Sequence, residues 1–117
     1  MKSGAGSSTE DRFRDLSRGD WDALGRSVGT FVDALRRGTR PDMVDHLPDG
    51  GPTLRHVALV EMIHEELEFR LKSGESAGAD DYLARFPELA GDPSVVRDLT
   101  RAELRLKGAN ASRRRRR

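Results

Sequence analysis

With 117 residues, of which 35% are hydrophobic and 35% are charged, the chain fits one small domain with a thin core. It has no cysteine, which excludes disulfides, thiolate metal sites and cysteine nucleophiles. The formal net charge of +1 hides an asymmetry. Five of the 21 basic residues stand together at residues 113–117, which leaves 16 basic against 20 acidic residues in residues 1–112.

Residues 1–18 are predicted to be a flexible N-terminus. They are small and polar up to about Thr9, and they lack the apolar run of a signal peptide. No stretch approaches the run of about 20 apolar residues that crosses a bilayer. We therefore expect a soluble cytoplasmic protein that has no membrane partner.

Residues 20–48 are predicted to form a helix, a glycine stop and a short second helix. Asp20 is the expected N-cap, and Gly38 is expected to end the first helix. Gly25 and Gly29 either weaken this helix or permit close contact with another helix. Its apolar residues recur at helical spacing and predict a core-facing seam: Trp21, Leu24, Val28, Phe31 and Leu35.

Residues 53–89 repeat this plan with the most apolar helix of the chain. Thr53 is its expected N-cap and Gly74 its expected stop, and its glutamates, Glu66 among them, are expected to face water. A short helix then places Tyr82, Leu83 and Phe86 as a lid over the long helix, and Pro87 ends it. The predicted core stripe of the long helix is Leu54, Val57, Ala58, Val60, Met62, Ile63, Leu67, Phe69 and Leu71.

Asp92 and Pro93 predict the start of a closing helix over residues 93–107. The two glycine stops are 36 residues apart, a spacing typical of helix–turn–helix repeats. We predict an all-α fold: a small bundle of about four helices with disordered termini. It consists of two helix–Gly–short-helix units and the closing helix, in a helical domain at residues 19–107 followed by a basic tail at residues 108–117.

Four short motifs stand in the second half of the chain. They are Glu-Phe-Arg at residues 68–70, Lys-x-Gly-Glu at 72–75, Asp-Tyr-Leu-x-Arg-Phe-Pro at 81–87 and Ala-Glu-x-x-Leu at 102–106. With them, residues 28–107 resemble the helical region N-terminal to the kinase domain of planctomycete-type bacterial serine/threonine protein kinases.

The sequence lacks the glycine-rich loop, the strand lysine and the catalytic aspartates of a kinase. The resemblance therefore implies a non-catalytic interaction or regulatory module, either freestanding or part of a longer kinase, and not an enzyme. The implied partner is a protein, such as a serine/threonine kinase or its substrate. Aromatic residues at helical spacing are typical of a core, but stripes left exposed would dock a partner helix in a groove between the helix pairs. The candidate partner-binding residues are Trp21, Phe69, Tyr82 and Phe86.

The alternative interpretation is a small nucleic-acid-associated protein. An arginine run binds polyanions weakly and without sequence preference, and this one has no interleaved aromatic residues for base stacking. The run consists of Arg113, Arg114, Arg115, Arg116 and Arg117. A single Glu61-x-x-His64 lacks the second copy and the further glutamates of a di-iron site, so we expect neither a metal nor a cofactor.

Overall fold

The structure is a computed structural model that describes residues 16–115, with side chains through residue 109. In this range it contains six helices and no strand, so the predicted all-α bundle is confirmed. The helices are α1 (Arg18–Arg36), α2 (Met43–His46), α3 (Pro52–Lys72), α4 (Ala79–Arg85), α5 (Pro87–Ala90) and α6 (Pro93–Arg115). The flexible N-terminus predicted at residues 1–18 falls almost wholly outside the described range.

Helix α3 is the centre of the core, as its apolar stripe predicts. It packs against α1 on one side and α6 on another, so burial extends around most of its circumference. Leu59, which the sequence stripe left out, is buried for this reason. The buried side chains of α3 are Leu54, Val57, Ala58, Leu59, Val60, Met62, Ile63, Glu66, Leu67 and Leu71.

The three long helices run in the same direction. The first half of α1 shares a groove with Glu61 of α3, and the last turn of α1 shares a cleft with Phe69, eight residues further along α3. His56, near the start of α3, places its Nε2 atom 3.3 Å from Oδ2 of Asp92, just before α6, and Arg105 of α6 lies near Glu68 toward the end of α3. The short helices and loops therefore return the chain after each long helix, as in stacked helix–turn–helix units.

Gly38 and Gly74 end α1 and α3 in the same way. Their φ angles are +85° and +86°, in the left-handed region that glycine enters without steric cost. At the first stop the Gly38 N–H donates to the Leu35 carbonyl and the Thr39 N–H to the Ala34 carbonyl, and the same pair of bonds follows α3. This is the Schellman pattern, and both predicted stops are confirmed.

Two predicted helix starts are wrong. Ser17, not Asp20, caps α1: its Oγ accepts the Asp20 N–H at 3.1 Å, while Asp20 Oδ2 accepts the Ser17 N–H at 3.2 Å. This reciprocal capping box satisfies two donors, which offsets the weak helix propensity of the glycine between them. Helix α3 begins two residues early, with Gly51 instead of Thr53 as N-cap and Pro52 in the first turn, because proline has no N–H to leave unsatisfied there.

Two features of the second half also differ from prediction. Pro87 ends α4 but opens α5, a short helix whose Leu89 is fully buried. Helix α6 does not end near residue 107 and continues to Arg115. Gly108 is not among the glycines with positive φ, so it costs the helix about 1 kcal/mol without stopping it. The start of α6 is as predicted, since Asp92 Oδ1 accepts the Ser94 N–H at 3.1 Å.

Candidate functional site

Tyr82, a candidate partner-binding residue, lies in the core with 1% of its surface exposed. Its hydroxyl donates to Glu66 Oε1 at 2.9 Å, and Arg70 Nη1 lies 3.4 Å from the same hydroxyl. Burial raises the pKa of Tyr82 well above its ordinary value, although the hydrogen bond from Arg70 opposes this shift. Sequence reasoning placed Glu66 in water. The signal that it missed is that a buried tyrosine hydroxyl needs a polar partner.

The remaining residues of the motif at positions 81–87 also hold the fold together. Asp81 Oδ2 accepts the Gly78 N–H at 3.1 Å at the start of α4. The Arg85 guanidinium lies 5.1 Å from the centre of the Phe86 ring, and its Nη2 lies 3.4 Å from Asp42 Oδ1 in the first unit. Phe86, the second candidate partner-binding residue, is buried in the core. The motif therefore ties the second unit to the first, and its aromatic rings are not surface groups.

A polar cleft of about 440 Å³ lies where the two units meet, lined by three arginines and three carboxylates among other residues. Arg70 and Arg40 both approach Glu75 Oε1, at 3.4 and 3.6 Å. Because Arg85 pairs with Asp42 and Arg70 with Glu75, the charges of the cleft are largely compensated within it. We interpret it as a junction between the two units.

An apolar groove of about 560 Å³ runs along the flank of α1 beside α3. Trp21 is 45% exposed, so its predicted place in the core seam is wrong. A Cβ atom built on Gly25 or Gly29 would meet nothing within 4 Å, so these glycines do not serve close helix contact. Because they have no side chain, they leave open space on the flank of α1 instead. The groove is lined by Trp21, Leu24, Gly25, Val28, Gly29 and Glu61.

Glu61 supplies the acidic wall of the apolar groove. Burial raises its pKa, and Glu65 adds to this effect, while nearby His64 opposes it. The Glu61 carboxylate is therefore partly desolvated, and a cation placed in the groove would stabilise it. Among residues 16–109, no third histidine or carboxylate joins Glu61 and His64 in a group that could hold a metal ion.

The four candidate partner-binding residues are thus not brought together. Trp21 lies on the apolar groove, Tyr82 and Phe86 lie in the core, and Phe69 is half-buried between the polar cleft and the far end of the α1–α3 surface. Of the arginine run, residues 113–115 belong to the backbone of α6, and residues 116 and 117 are outside the described range.

In the described part of the chain, no helix combines the length and the apolar character needed to cross a membrane. Comparison with known proteins finds no match to a family model, to a curated protein or to a solved structure.

Proposed function

We propose that this chain is a non-catalytic interaction or regulatory module of bacterial serine/threonine kinase signalling, which acts in the cytoplasm by binding a protein partner in the apolar groove. The observation that carries the proposal is the exposure of this groove. Large apolar side chains of the described residues are mostly buried, and the exposed exceptions are Trp21, Val44 and Leu104. Of these three, Trp21 lies in a cavity with other apolar groups.

The kinase context rests on the resemblance of residues 28–107. In the structure, residues from the motifs of that resemblance hold α4 on α3 through Tyr82 and reach the first unit through Arg85. These contacts serve the fold, so the resemblance supports an interaction module and not a catalytic centre. We infer that the partner is a serine/threonine kinase or its substrate.

The groove favours an amphipathic helix that carries a basic side chain on the edge of its apolar face. The low flank at Gly25 and Gly29 admits a helix backbone, and Trp21 and Val28 supply apolar contact. On the facing wall, the half-buried Glu61 carboxylate matches a lysine or arginine of the partner.

The test uses a synthetic amphipathic helical peptide with leucines on one face and a lysine at its edge, followed by fluorescence anisotropy. Trp21→Ser is expected to weaken binding about 30-fold, the size of an aromatic hot spot. Gly25→Gln is expected to do the same by filling the groove, because nothing lies within 4 Å of its Cβ position. Val44→Ser is the matched control, since Val44 is 49% exposed on α2.

Binding that survives both groove variants, or that Val44→Ser weakens equally, would refute the groove. Two further measurements test for other occupants of the groove. In sedimentation, a dimer that is lost in Trp21→Ser would assign the groove to a second copy of the chain. In the peptide assay, stronger binding after removal of residues 1–15 would assign the groove to the chain's own N-terminus. For the kinase context, affinity capture from host lysate at high salt should retain a kinase with the wild-type chain and lose it with Trp21→Ser.

A second candidate function is nucleic-acid binding through residues 113–117. One observation favours it: the backbone of α6 continues without a break to Arg115, so most of the run extends a helix of the domain.

A further inference from the structure

The outer face of α6 carries a row of arginines. The inner face buries Val95, Leu99, Ala102 and Leu106 against the core. On the opposite side, Arg97, Arg101 and Arg105 follow one another every four residues, and all three are exposed. Successive members are about 6 Å apart along the axis. We call these three residues the α6 basic face.

The charges of this face are largely uncompensated. Among the described residues, Arg97, Arg101 and Arg105 form no ion pair within 4.0 Å. Arg105 lies near Glu68, but the pKa of that carboxyl is lowered mainly by the hydrogen bond from Lys72. The guanidinium groups therefore remain available to an external anion.

Helix α6 concentrates the positive charge of the whole chain. Residues 93–115 contain seven basic and two acidic residues, a net of +5, whereas residues 1–92 contain 12 basic and 18 acidic residues, a net of −6. The helix is about 34 Å long, and 18 residues, or about five turns, separate the backbone positions of Arg97 and Arg115. The basic face and the first three arginines of the run thus belong to one continuous helix.

We propose that the α6 basic face binds duplex nucleic acid through its phosphate backbone, without sequence preference. A duplex carries one negative charge per about 1.7 Å, and the arginine fork binds phosphate oxygens in pairs. The acidic remainder of the chain is repelled by the same field, which orients α6 toward the duplex. This proposal is independent of the apolar groove, and it extends the second candidate function from the run to the folded domain.

A duplex fits this face better than the other polyanions. Residues 93–115 contain no aromatic side chain, so the helix offers no stacking platform for a single strand. The apolar side of α6 is used in the core, and Leu104, 66% exposed, is the large apolar side chain that its outer surface offers. A helix that binds a membrane surface needs a free apolar face, whereas the apolar face of α6 is buried in the core.

The test is fluorescence anisotropy of a labelled DNA duplex at salt concentrations between about 50 and 200 mM, with the full chain. Each phosphate contact adds about 0.9 to the slope of log affinity against log salt. The triple variant Arg97→Ala, Arg101→Ala, Arg105→Ala should lose about two to three units of slope and at least tenfold in affinity. The matched control is Arg26→Ala, Arg36→Ala, Arg37→Ala, three exposed arginines at α1 and its C-cap. It should keep the wild-type slope.

Removal of residues 113–117 separates the basic face from the run. The shortened chain should keep a weaker, salt-dependent affinity that the triple variant then abolishes. The proposal is overturned if the wild type does not bind the duplex at low salt, if the face variant binds like the wild type, or if both triple variants lose affinity equally. Tighter binding to vesicles of anionic lipid than to the duplex, with the same dependence on Arg97, Arg101 and Arg105, would also overturn it. Circular dichroism melts should be the same for all variants, since the substituted side chains are exposed.

Discussion

Glu66 is a buried carboxylate, 9% exposed, in the middle of the longest apolar stripe of the chain. Its burial is tolerated because the Tyr82 hydroxyl donates to it and the Arg70 guanidinium bonds that hydroxyl from the other side. Arg70 is itself positioned by the Ser76 carbonyl, which accepts from Nη2 at 3.1 Å. A polar network in a core has to be satisfied in this way, because each unpaired member would cost more than an apolar substitute. The short helix α4 is thus held over α3 by a specific contact as well as by apolar packing.

Tyr82→Phe is predicted to destabilise the fold by about 1–3 kcal/mol at neutral pH, because it removes the donor to a buried carboxylate. The same residue predicts an alkaline weakness. The folded state raises the pKa of Tyr82 above its unfolded value of about 10. The protonated Tyr82 hydroxyl therefore contributes its full stabilisation below about pH 10, and this contribution is lost as the pH rises through the folded pKa. Chemical denaturation at neutral and alkaline pH measures both effects.

Tyr82 is the only tyrosine of the chain, so ultraviolet absorbance of tyrosinate reports on it directly. Ionisation should coincide with unfolding in the wild type.

The double variant Tyr82→Phe, Glu66→Met should be more stable than Tyr82→Phe alone, because neither partner is then left unpaired. Tyrosinate formation near pH 10 in the folded protein would contradict the buried network.

At the level of the helix, two glycines with the same low helix propensity have opposite roles. Gly74 occupies a left-handed position that ends α3, whereas Gly29 lies inside α1 with open space around its Cβ position. Gly29 therefore lowers the stability of α1 without serving the packing of the domain. The open space at this glycine supports our proposal that the flank of α1 receives a partner.

Gly29→Ala is predicted to stabilise the protein by up to about 1 kcal/mol, because alanine loses less entropy in a helix and meets no neighbour. Gly74→Ala should destabilise it by about 1–2 kcal/mol, the cost of a side chain in the left-handed region. Urea unfolding of the two variants measures both changes. Equal effects of the same sign would contradict the described backbone at these positions.

At the level of the whole molecule, α6 closes the core and carries the charge. It covers α3 through its buried face, and it holds the start of α4 because Glu103 Oε1 accepts the Ala79 N–H at 2.7 Å. The hydrogen bond from Lys107 lowers the pKa of Glu103, and the hydrogen bond from Ala79 adds to this effect. Leu106 is the last buried apolar residue among those described. The described side chains of α6 therefore pack against the core as far as Leu106.

A chain shortened to residues 1–112 is predicted to melt within about 2 °C of the wild type, because the removed residues follow Leu106, the last buried apolar residue among those described. A chain shortened to residues 1–91 should lose its cooperative melt, since the apolar side of α3 that faces α6 is then exposed. Thermal unfolding followed by circular dichroism tests both. A cooperative transition in the shorter chain would show that α6 is an appendage rather than part of the core.

Local sequence was sufficient for the long helices of this protein, but not for the starts of α1 and α3, the short helix α5 or the end of α6. The spacing of apolar residues along α3, the glycine stops at positions 38 and 74, and the start at Asp92 are set by interactions within a few residues. They could be predicted for that reason. The repeat of 36 residues likewise indicated two equivalent units, because the same local pattern occurs twice.

Other features depend on neighbours that are distant in sequence. Glu66 was expected in water because its own helix gives no sign of Tyr82 above it. Trp21 was expected in the core because it belongs to a helical apolar stripe. Such a stripe does not show which of its residues the facing helix covers. The direction of the long helices, the apolar groove and the exposure of the arginine row of α6 arise when α3 is covered from two sides. Burial depends on which surfaces meet, and this is a property of the packed chain that no local pattern contains.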